Sequence, residues 1–146
     1  MPFREKSAWI SLVCTLAVFG AFYGSLLFGV IPSAGMATLH YLLQSVIGLI
    51  VLQVILHLIA AAMSRGEAGT PKDEREKLIE LKAASIAYNV LMISSVAGMF
   101  VFIHMPHVHH HGMAAAAQTG LLVLACVVFA DIVKSAAKIV YYRRGV

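Results

Sequence analysis

The chain has 146 residues, of which 60% are hydrophobic and only 12% charged, with a formal net charge of +4. A soluble domain carries about 25% charged residues, so this composition excludes an ordinary globular domain. The apolar residues fall in long uncharged blocks, and the excess positive charge lies between the blocks, which points to membrane orientation and not to nucleic-acid binding.

The first block, Ser7 to Ile31, follows a mixed-charge start at Arg4, Glu5 and Lys6. Its length exceeds the apolar core of a signal peptide, and no Ala-x-Ala site follows, so it is read as a retained helix. About 20 apolar residues cross roughly 30 Å of hydrocarbon. Within it, Gly20 and Gly24 have the small-xxx-small spacing that lets helix backbones approach. They would serve packing within the chain or a homodimer equally well.

The second block, Ala37 to Met63, carries polar groups at His40, Gln44, Gln53 and His57. At about 100° per residue, His40 and Gln44 share one face and Gln53 and His57 another. Polar side chains in lipid usually bond to neighbouring helices, and that role is expected here. A sharper alternative makes His40 a haem ligand opposite His104 or His107 in an electron-transfer subunit.

The connector Ser64 to Lys82 carries much of the charge. Thr70, Pro71 and Asp73 read as an N-cap, a first helical position and an acid in the first turn. The third helix is therefore expected from about Pro71, projecting from the membrane before its apolar part, Ala83 to Ile103. Asp73, Glu74, Arg75, Glu76 and Lys77 would form an exposed interaction surface for a cytosolic regulatory protein.

Between the third and fourth helices lies "HMPHVHHHGM", residues 104 to 113, holding five of the seven histidines. Neutral imidazole binds Zn and Cu, and methionine adds a soft ligand. His104, His107, His109, His110 and His111 are the candidate metal ligands, although Pro106 bars a continuous helix and the spacing matches no established site. The competing reading is a polar turn. Metal affinity would fall as pH drops through about 6.5.

The fourth block, Ala114 to Ala130, ends in Asp131, Lys134 and Lys138 on one helical stripe, expected at the membrane edge where long side chains reach water. Glu80 and Glu76 of the third helix should lie at similar depth, giving a structural charge network of Glu80, Asp131, Lys134 and Lys138. A proton or ion path would need acids deeper in the membrane, and none is expected there.

All eleven Lys and Arg residues flank the blocks on one side, which the positive-inside rule makes cytoplasmic. Both termini are then inside and the histidine cluster outside. The prediction is one all-α domain over residues 1–146, an integral membrane four-helix antiparallel bundle of two hairpins (helices near 7–31, 36–63, 71–104 and 113–142), in contact with the lipid bilayer. Arg4-Glu5-Lys6 recurs as Arg75-Glu76-Lys77, Gly35-Met36-Ala37 as Gly112-Met113-Ala114, and Arg65-Gly66 as Arg144-Gly145. Such markers fit parallel repeats of one hairpin, or chance matches between short tripeptides.

"DEREKLIELKAASIAYNVL" (residues 73–91), "YYRRG" (141–145) and the "REKSAW" start (4–9) together resemble a family of small, functionally uncharacterised bacterial inner-membrane proteins. These have four transmembrane helices and a cytosolic Asp-Glu-Arg-Glu signature. The resemblance implies an inner-membrane location and, from members encoded beside helix-turn-helix regulators, a regulatory partner. The histidine stretch is not part of it.

Catalysis has little support. The sequence contains no phosphate-cradling glycine loop, nucleophile elbow or His-Glu-x-x-His motif. Cys14 and Cys126 stand alone in apolar blocks and read as small hydrophobes. The expected function is a non-enzymatic interaction or regulatory protein, with Zn or Cu sensing at the histidine turn as the alternative.

Overall fold

A computed structural model describes residues 3–31, 36–64, 73–104 and 113–144. They form four helices: α1 (Phe3–Leu27), α2 (Met36–Met63), α3 (Glu74–His104) and α4 (Met113–Arg144). Each contains a stretch long and apolar enough to cross a membrane, so the molecule is an all-α integral membrane bundle.

Two antiparallel hairpins, α1–α2 and α3–α4, meet along a seam between α1 and α4, giving the packing order α2–α1–α4–α3. α2 and α3 therefore each have one extensive neighbour, and most of their surface is left for lipid. That arrangement explains why apolar residues run all round both helices: lipid tails make no distinction between one face and another.

α2 has the expected bounds, whereas both ends of α1 and the start of α3 differ from the sequence expectation. α1 begins four residues before Ser7, because Arg4 and Glu5 find opposite charges on α3 and α4. It stops at Leu27, although the apolar run continues. Gly29 adopts φ 71°, Gly29 N donates to Leu26 O at 3.2 Å, and Val30 N donates to Ser25 O at 2.9 Å. This is a Schellman motif, with glycine at its left-handed position. The reversed chain carries Ile31 onto Phe19, Phe22 and Val128, the buried apolar cluster of that end.

α3 begins at Glu74 and not near Pro71. Asp73 is its cap: Asp73 Oδ1 accepts from Glu74 N at 2.8 Å, and Glu76 Oε2 accepts from Asp73 N at 3.1 Å. Asp73 O in turn receives the first helical bond, from Lys77 N. The reciprocal reach of the third helical residue to the cap amide is a capping-box interaction. Asp73 thus serves the helix terminus, and the Thr70–Pro71 start lies outside the described residues.

Candidate functional site

The polar side chains concentrate at the end of the bundle where α1 and α3 begin and α4 ends. Arg4 Nε lies 2.9 Å from Glu76 Oε2, Arg143 Nε 3.3 Å from Glu5 Oε1, and Lys138 Nζ 3.5 Å from Glu80 Oε1. Three helices are thereby pinned at one level. The Glu5 side chain is almost fully buried, whereas Arg143 is 58% exposed. The Arg143 guanidinium also lies 5.5 Å from the centroid of the Trp9 ring, and Lys82 Nζ lies 5.9 Å from that of Tyr141, both within cation–π range.

Of the proposed interaction surface, Asp73, Glu74, Arg75 and Lys77 are exposed and Glu76 is half-buried, with Asp73 and Glu76 engaged as described. Leu78 and Leu81, 50% and 71% exposed, flank this first turn. This first turn thus presents alternating charge beside two leucines.

The charge network is divided. Glu80 and Lys138 meet, whereas Asp131, seven residues earlier on α4, faces α1. The Asp131 Oδ2 accepts from Thr15 Oγ1 at 3.4 Å. The register is set by Glu5–Arg143 at one end and by Tyr23 Oη donating to Leu121 O at 2.9 Å nearer the other. Counting charges along α4 alone could not reveal this contact, because it depends on which α1 residue stands opposite.

The histidines separate similarly. His57 Nε2 lies 2.9 Å from Ser7 Oγ, and His57 Nδ1 lies 2.7 Å from Gln53 O. A proton on Nδ1 suits the carbonyl and leaves Nε2 to accept from the serine. His57 is thus an α1–α2 tie, the packing role expected for α2's polar groups. His40 is exposed near the start of α2, on a helix that packs on α1 and not extensively on α3. The His104 side chain and His107, His109, His110 and His111 lie outside the described residues, as does any haem pairing that uses them. Among the described residues no three His, Cys, Asp or Glu side chains gather as metal ligands.

Gly20 and Gly24 have nothing within 4 Å of where a Cβ would stand. Close approach occurs instead at Gly98, where such a Cβ would lie 3.0 Å from Leu122 Cδ2. There Cys126 Sγ donates to Ser94 O at 3.4 Å. Both cysteines are buried and free, in keeping with their reading as small hydrophobes.

No curated protein and no solved structure matches this chain. A family model described as "Predicted membrane protein (DUF2178)" matches residues 4–145, nearly its whole length, and the chain belongs to that family.

Proposed function

We propose that this is a non-enzymatic interaction or regulatory protein of the bacterial inner membrane, with both termini in the cytoplasm and the start of α3 as its recognition surface. The observation that carries this reading is the exposed turn Glu74, Arg75 and Lys77, held rigidly by the Asp73 cap and by Glu76. A partner approaching the charged end meets a backbone turn already formed, so only side chains need to be ordered on binding. The orientation follows from the basic residues at this end. Cysteines placed at Glu74 and Phe28, which is 87% exposed beyond the opposite end of α1, should label from opposite sides of the membrane. Affinity capture compared between wild type and the Glu74→Lys/Arg75→Glu variant tests recognition. A partner that binds both equally would end this reading.

A second reading is Zn or Cu sensing outside the membrane by His104, His107, His109, His110 and His111. It rests on the position of α3's last residue, His104, at the end of the helix remote from Glu76. Calorimetry with Zn²⁺ and Cu²⁺ on wild type and on a variant lacking the five histidines tests it. Equal binding by both proteins would reduce the stretch to a polar turn.

A further inference from the structure

Trp9 is the only tryptophan of the chain, and its Nε1 is buried without a hydrogen-bond partner. A buried donor left unmade is costly, and native structures ordinarily complete such a group with water, an ion or a ligand. The surroundings of this one are cationic. The Arg143 guanidinium lies 5.5 Å from the centroid of the Trp9 ring. Its Nε is committed to the buried Glu5 carboxylate, which leaves its other N–H groups as donors. Lys6 precedes Trp9 by three residues, so the two are neighbours on the α1 surface. Lys6 is exposed, and among the described residues no acid pairs with it. Two cations and an unmade donor thus stand against a single acid.

Lys6 immediately precedes the uncharged block of α1, and Arg143 lies in the last turn of α4. Both stand where an uncharged span gives way to charge, the level of lipid headgroups. From Trp9 the same stripe of α1 runs through Val13 and Leu16, at i+4 and i+7, 55% and 49% exposed. A cationic head above a bare apolar strip matches a molecule with an anionic head and a hydrocarbon tail. A soluble phosphate would meet the cations but not the strip.

We propose that Lys6, Trp9 and Arg143 hold the phosphate of an anionic phospholipid, with an acyl chain along Val13 and Leu16. Lys6 Nζ and the Arg143 Nη groups donate to phosphate oxygens. The indole N–H gains its acceptor when the Arg143 side chain, 58% exposed, shifts to admit the anion. A zwitterionic headgroup carries the same phosphate, but its ammonium adds positive charge to a site that already has a surplus. The site therefore selects anionic lipid.

Trp9 fluorescence reports on the site directly. Full-length protein is placed in phosphatidylcholine liposomes containing a small fraction of lipid brominated on its acyl chains, either phosphatidylglycerol or phosphatidylcholine. At equal fractions, brominated phosphatidylglycerol should quench Trp9 with an apparent affinity at least about fivefold higher. Lys6→Gln should abolish that preference. Lys82→Gln, which removes a cation lying over Tyr141 at the same end, should leave it within about twofold of wild type. Trp9→Phe keeps a ring for Arg143 and loses the N–H, and native mass spectrometry should show it retaining phosphatidylglycerol about fivefold more weakly. Equal quenching by the two lipids would overturn the proposal. So would equal effects of Lys6→Gln and Lys82→Gln, full retention by Trp9→Phe, or displacement of the lipid by inorganic phosphate, which would assign the cations to a soluble anion.

Discussion

The Arg4 guanidinium meets the Glu76 carboxylate at 2.9 Å, joining the first turn of α1 to the first turn of α3. The same carboxylate oxygen accepts from the Asp73 amide. One side chain therefore closes a helix terminus and sets the position of one hairpin against the other. Glu76→Gln keeps an acceptor for the amide and loses the charge, whereas Glu76→Ala loses both. The alanine variant should be less stable by about 1 to 2 kcal/mol and the glutamine variant by less than about 1. Unfolding in mixed micelles, followed by circular dichroism, measures both, and equal losses would show that the cap contributes nothing.

Gly29 should tolerate no side chain, although space is available. Nothing lies within 4 Å of a Cβ there, so the penalty for Gly29→Ala is the left-handed backbone alone, about 1 to 2 kcal/mol. Gly20→Ala is the control. It adds a methyl to open space inside a helix and should stabilise a single copy by about 0.5 to 1 kcal/mol. Weaker self-association in that variant would assign the glycine strip to a homodimer contact.

Arg143→Ala should be more damaging than Glu5→Gln. The arginine change strands a nearly buried carboxylate, whereas the glutamine removes the buried charge along with the pair. With Arg143 more than half exposed, solvent screening limits the loss to about 1 kcal/mol. Thermal unfolding of the two variants gives the order, and a reversed order would contradict the burial of Glu5.

Ser7 and His57 should show a small coupling. A hydrogen bond between transmembrane helices contributes on average about 0.6 kcal/mol. A double-mutant cycle with Ser7→Ala and His57→Ala should return a value of that size, and an additive cycle would mean that the 2.9 Å contact contributes no stability.

The number of helices was legible because uncharged length alone reports it. The ends were less so. The apolar run does not stop at Leu27, and only Gly29 marks the turn; Glu76 identifies the Asp73 cap, as the third helical residue reaching back to its amide. Contacts between distant helices were the least legible. Helices that are apolar all round carry no periodic signal of which side meets a neighbour, so neither the α1–α4 seam nor the Thr15–Asp131 contact could be read from spacing. Thr15 offered only a lone hydroxyl in an apolar run, which is uninformative until a carboxylate stands opposite it.

The α1–α4 seam also constrains how the protein is made. α1 is synthesised first and α4 last, yet they lock together through Glu5–Arg143, Thr15–Asp131 and Tyr23–Leu121. Until the ribosome has delivered the C-terminal helix, the α4-facing side of α1, including Thr15 and Glu5, has no permanent cover. The opening segment must therefore be sheltered by lipid or by the insertion machinery for almost the whole of translation. A chain truncated before α4 would leave a buried-type carboxylate and a hydroxyl displayed on an orphan helix, a form that membrane quality control is equipped to detect.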